Sequence, residues 1–134
     1  MSNEAPAQNV KPAQTLDVFR ALKAAIFSNN EVAAPAKYIG FGKGGHTADN
    51  KAREFDSSRE ALFDEVLVVE VDSVSQPDMY KLRAVGSTAG GGVLTVVSEA
   101  ILYDELMRPM CMATFPPKFT AEGETYGVTL LMHF

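Results

Sequence analysis

The chain has a single cysteine, Cys111, and no tryptophan. One thiol cannot close an internal disulfide, and it removes the zinc sites built on cysteine pairs. Histidine is almost as scarce, with only His46 and His133. Residues 1–14, MSNEAPAQNVKPAQ, lack the basic start and apolar run of a secretory signal. No apolar stretch is long enough to span a bilayer. Twelve Lys and Arg against seventeen Asp and Glu give a net charge of −5, and the basic residues are scattered. That leaves no electrostatic footprint for nucleic acid, and an acidic surface opposes anionic membranes. These absences predict a protein made and folded in a cytosol, with neither nucleic acid nor membrane as partner.

What is present suits one folded domain. At 134 residues, a compact chain buries roughly two thirds of its unfolded surface. Hydrophobic content of 46% and charged content of 22% are ordinary for such a domain. Residues 1–14, with Pro6, Pro12 and few large apolar side chains, cannot offset their own ordering entropy, so they are expected to form an extended arm. Thr15 can cap a helix over residues 15–28, with Asp17 in its first turn. Leu16, Phe19, Leu22 and Ile26 recur at helical spacing, and Phe27 widens the stripe.

The rest is strand-like. Residues 37–42 read as a short strand. Residues 66–75 carry Val and Leu on both faces, so one end is expected to be buried on both sides. A turn is expected at Gln76-Pro77-Asp78, then an alternating strand over 79–85 and a small-residue loop at 86–92. Residues 93–103 read as the longest strand, with a turn at 104–107. Residues 110–115 return, and Pro116-Pro117 bars an interior strand. The chain stops within a strand in which Tyr126, Val128, Leu130, Met132 and Phe134 share one face. The expected fold is mainly β: an antiparallel β-sandwich or barrel over 15–134 with one N-terminal amphipathic helix and the extended arm.

Four features carry possible chemistry. Gly40, Gly42, Gly44 and Gly45 form a glycine-rich run in which Gly40-x-Gly42-x-x-Gly45 satisfies G-x-G-x-x-G after a strand. The nucleotide fingerprint needs a helix opening at its third glycine, and His46-Thr-Ala-Asp-Asn is a poor helix start. The glycines therefore read as a turn. His46 and His133, with Asp49 or Asp56, match no metal-ligand spacing, so no metal or cofactor is expected. Glu99 interrupts an apolar run and must find Arg83, Arg108, backbone N–H groups or water. A structural hydrogen bond is the preferred role over general acid work. Cys111, between two methionines, reads as a small buried apolar residue.

Three motifs, in this order, resemble those of the phage tail-collar fibre protein family across about residues 37–134. They are Tyr38-Ile-Gly-Phe-Gly-Lys-Gly-Gly-His46, Ser98-Glu-Ala-Ile-Leu-Tyr-Asp104, and Ala113-Thr-Phe-Pro116-Pro117-Lys118 before a final apolar strand. The chain departs from the family pattern at Ile101, where a glycine is usual, and at Leu106-Met107, in place of an acidic-Gly turn. The resemblance implies a freestanding structural component of a bacteriophage virion.

The residue-level reading points the same way, toward a non-enzymatic assembly protein of tail, collar, neck or baseplate, incorporated into the virion after synthesis in the host cytoplasm. Copies of itself and other virion proteins are the expected partners. The contacts would be Leu16, Phe19, Leu22, Ile26, Phe27 and Phe134, together with the arm. Two alternatives stay open: a head decoration (cement) protein, or a small β-sandwich recognising a sugar or peptide through loops 43–57 and 86–92.

Overall fold

The computed structural model describes residues 10–28, 30–88, 96–120 and 124–134. Its elements are β1 (Val10–Thr15), α1 (Asp17–Phe27), β2 (Ala36–Gly42), β3 (Glu65–Glu70), β4 (Ser73–Asp78), β5 (Lys81–Ser87), β6 (Val96–Asp104), β7 (Pro109–Phe119) and β8 (Gly127–His133). The eight strands form one curled sheet in the order β3-β2-β6-β7-β1-β8-β5-β4, a half-barrel carrying one helix. The mainly β expectation holds, but the sheet is mixed. Every pair is antiparallel except β1 with β8, which runs parallel.

The curl follows from how the sheet ends. Strands β3 and β4 lie at opposite ends of the order yet are consecutive in the chain. Between them, Val71 N–H donates to the Lys37 carbonyl at 2.9 Å and Asp72 N–H donates to the Val85 carbonyl at 2.7 Å. One dipeptide thus ties β2 to β5 and draws the two ends together. The single long strand expected over 66–75 breaks there into two. Gln76-Pro77-Asp78 belongs to β4, and the reversal falls at Met79-Tyr80.

The inner face of the sheet packs Ile39, Phe41, Val97, Leu102, Phe115, Val128, Leu130 and Met132 into the main core. A second cluster, with Leu16, Leu62, Ile101, Tyr103 and Met112, covers the outer face of β6 and β7. Strand β6 is therefore buried on both sides from Val97 to Asp104, which explains its unbroken apolar run. Ile101 lies opposite Gly40 on β2, and a Cβ at Gly40 would stand 3.0 Å from Ile101 Cγ2. The missing side chain on one strand makes room for the branched one on the other.

Two expectations at the N-terminus are corrected. Residues 10–14 are not an arm. They form most of β1, which lies between β7 and β8, pairing with β8 over Val10–Ala13 and with β7 at Gln14 and Thr15. Their composition is poor in apolar volume, but neighbouring strands supply the partners that the segment cannot supply itself. Residues 1–9 of the expected arm lie outside the described residues. Thr15 is not a cap either: it ends β1, and its hydroxyl donates to the His133 carbonyl. Leu16 takes the N-cap position without a side-chain bond, while Asp17 N–H donates to the Ser57 carbonyl at 2.8 Å. The helix ends at Phe27.

Pro116-Pro117 also behaves differently from the expectation, because β7 continues through both. Glu99 pairs with Thr114 and Val97 with Lys118, so one residue of β6, Ser98, faces three of β7, Phe115 to Pro117. The prolines occupy that bulge, where no ladder bond is required of them.

Candidate functional site

Chemistry-bearing side chains converge on the outer face of β6, under the segment 43–64. Glu99 sits there fully buried. Its Oε2 accepts from Gly44 N–H at 3.0 Å and from Asp64 N–H at 2.8 Å, and its Oε1 accepts from Phe63 N–H at 2.8 Å. A Cβ on Gly42 would strike Glu99 Oε2 and stand 2.6 Å from the Asp64 carbonyl. Glycine at 42 is thus what lets the carboxylate cross beneath β2 to the loop. Gly45 N–H donates to Ser98 Oγ at 2.8 Å, and His46 Nδ1 is 2.8 Å from the same oxygen. The glycine run is a close-packed seam against Ser98 and Glu99, with no helix at its end. The reading of these glycines as a turn is corrected: Gly40 and Gly42 lie within β2, and the four positions lack a Cβ because Glu65, Glu99, Phe63 and Ser98 approach them too closely for one.

A second carboxylate follows the same design. Glu65 of β3 reaches across Gly40, where a Cβ would collide with it, and accepts from the Tyr103 hydroxyl at 2.6 Å. Burial, reinforced by the Glu65 carboxylate, pushes the Tyr103 phenol well above its ordinary range. Asp104, also buried, accepts from the backbone N–H of Leu106 and of Arg108, both at 2.9 Å, and from Arg108 Nε at 2.7 Å. Arg108, one expected partner of Glu99, is therefore engaged by Asp104.

Chemically these groups are committed. The Glu99 oxygens are held by three backbone N–H donors beneath the loop, with the residue fully buried. Ser98 is fully buried, and its Oγ already accepts from Gly45. The segment is fastened further by Arg53, whose Nε donates to the Gly44 carbonyl at 2.8 Å and whose carbonyl accepts from Thr114 Oγ1 at 2.7 Å. Arg53 and Arg59 stack on the Phe63 ring at 4.7 and 3.6 Å. The cluster anchors a long loop to the sheet.

His46 lies in this seam, whereas His133 is exposed at the end of β8. His133 lines an open hollow of about 660 Å³ with Thr15, Arg20, Phe55 and Ser57. Among the described residues, no three His, Cys, Asp or Glu side chains are grouped to hold a metal ion. Cys111 is fully buried, and burial pushes its thiol up to about 12.

The expected contact residues divide. Leu16 and Phe19 are buried within the chain's own clusters, Leu16 with Ile101 and Met112 on the outer face and Phe19 in the main core, which corrects their assignment to an intermolecular surface. Leu22 and Ile26 are half-buried and line, with Phe134, a cavity of about 250 Å³. Phe27 and Phe134 are 83% and 52% exposed, Phe134 meeting Phe19 edge-on with centroids 6.1 Å apart. The most exposed strands are ones whose valines gave the opposite expectation. Val66 and Val68 on β3, and Val74 on β4, are 39%, 37% and 41% exposed. The signal available in the sequence is the acidic flanking of this stretch by Glu65, Glu70, Asp72 and Asp78, typical of edge strands.

Comparison with family models, curated proteins and solved structures gives no match, so the likeness to tail-collar fibre proteins rests on its three motifs.

Proposed function

We propose that this chain is a non-enzymatic structural component of a bacteriophage virion, of the tail, collar, neck or baseplate, that works by oligomerisation and by contact with other virion proteins. The observation that carries the reading is the pair of sheet ends. Among the described residues β3 and β4 each have a single strand partner, and both carry exposed valines. Such edges pair with further strands unless something blocks them. The exposed Phe27 and Phe134 add apolar area near the outer end of α1. The commitment of Glu99, Ser98 and Asp104 to backbone anchoring supports a framework role, and the three motifs supply the virion context.

The test is mass photometry of the purified chain over a range of concentrations, with co-sedimentation against tail, neck and baseplate particles. Self-association and capture by one of these particles are expected. A strict monomer that binds no virion component overturns the reading.

A further inference from the structure

The strand that joins the two halves of the sheet pairs on both sides, yet it and α1 connect to the rest of the chain through a short, exposed segment. β1 separates β7 from β8. Pro12 leaves it one donor short, and of its six residues only Ala13 is buried. It passes into α1 through Leu16 without a loop, so residues 10–28 are a continuous strand–helix unit. The described part of the connection to β2, residues 30–35, has no regular structure, and Glu31, Val32, Ala33 and Pro35 are exposed. Beneath it lies a recess of about 250 Å³ between Leu22 and Ile26 of α1 and Ala33–Ala36.

Asn30 N–H donates to the Ala25 carbonyl at 2.8 Å, and the turn after β6 holds the residues that follow. Arg108 Nη2 donates to the Val32 carbonyl at 2.9 Å, Arg108 Nη1 meets Glu31 Oε1 at 3.4 Å, and Glu105 N–H donates to the Pro35 carbonyl at 2.9 Å.

We propose that residues 10–28 exchange between copies of this chain, β1 and α1 of one copy filling the slot between β7 and β8 of another. Arg108 is the clasp that favours self-insertion. The inference deepens the assembly reading and rests on it. A second copy is the occupant because the slot is shaped to this unit: the Ala13 and Leu16 pockets and the β8 and β7 registers are remade residue for residue. Only the linker and its clasp differ between the two forms. Six extended residues reach about 20 Å, enough to pass between touching copies.

The chain contains its own reporter. Thr15 lies opposite Cys111 on β7. Leu16 N–H donates to the Met110 carbonyl, so the neighbouring 15–111 pair is of the non-hydrogen-bonded kind, whose side chains approach closest. With Cys111 the sole native cysteine and fully buried, Thr15→Cys in the full chain can meet it only across the β1 slot. The chain is unfolded in urea and refolded under an oxidant, so that the otherwise shielded Cys111 can react as the slot fills, and is run on a non-reducing gel with mass photometry of the same sample. Expected is an oligomer whose disulfides link different chains, as covalent dimers or ladders. Arg108→Lys keeps a cation beside Asp104 but loses the fork to Val32, and it should raise the cross-linked fraction several-fold. An oligomer with disulfides only inside single chains overturns the exchange and leaves the assembly reading standing. A monomer with internal disulfides overturns both. If the Thr15→Cys chain does not fold or forms no disulfide, Arg108→Lys in the otherwise unaltered chain gives the readout: a several-fold rise in dimer fraction at fixed concentration supports exchange, and no rise overturns it.

Discussion

Glu99 makes the largest demand on its surroundings of any single residue. A buried carboxylate is tolerated only with its lone pairs met, and Gly44, Phe63 and Asp64 supply three donors. Glu99→Gln presents one acceptor oxygen and turns an amide N–H2 toward a backbone donor. It should cost about 2–3 kcal/mol in urea unfolding; a change under about 0.5 kcal/mol would show that the loop is anchored by other means. Cys111 gives a pH prediction. Its folded pKa is raised to about 12 by burial, above the ~8.5 of an exposed thiol. The thiol should therefore resist a disulfide reagent at pH 8 and react at once in urea. Its contribution to stability is fully present below about pH 8.5 and is lost as pH rises through the folded value. The sequence shows that Glu99 needs partners and includes backbone N–H groups among them, and it shows Cys111 as buried. It cannot name the donors, which lie 55, 36 and 35 residues away.

At the scale of elements, the turn between β6 and β7 is ordered by Asp104, with Met107 N–H donating to the Asp104 carbonyl at 2.9 Å. Met107 has φ 62, the left-handed region that costs a side-chain-bearing residue roughly 1–2 kcal/mol. This is where the related pattern places an acidic-Gly pair. Met107→Gly should raise stability by about 0.5–1 kcal/mol after the entropy of the unfolded glycine is counted. Thermal unfolding measures it, and a loss would mean that the half-exposed Met107 side chain packs better than its accessibility indicates. The turn at 104–107, strand β2 and strand β8 were legible because each depends on a short pattern: an Asp followed by turn residues, or alternation with period two. The end of β1 and the start of α1 were not. Thr15 has the chemistry of a cap, but β8 draws its hydroxyl away and Ser57 satisfies the first helical N–H instead.

For the whole molecule, the Val71–Asp72 corner matters most, since it curls the sheet and leaves β3 and β4 as its two ends. Val66→Lys with Val68→Lys places charge on the open side of β3. Both positions are exposed, so the isolated chain should lose less than about 1 kcal/mol. Self-association should fall at least tenfold, because an edge lysine blocks strand addition. Analytical ultracentrifugation with parallel urea unfolding separates the two effects. An unchanged oligomer would move the contact to the surface around Phe27 and Phe134.

The sequence by itself determined the β-rich class, the burial of Cys111 and the Tyr126–Met132 face, because each rests on near-neighbour periodicity or on the chemistry of one residue. Tertiary structure alone decided that residues 10–14 become a strand within the sheet, that Leu16 and Phe19 turn inward, that the valines of β3 and β4 face outward, and which donors hold Glu99. Each of those outcomes is set by a strand or loop brought alongside from far away in the chain, and a local pattern carries no record of which strand will be its neighbour.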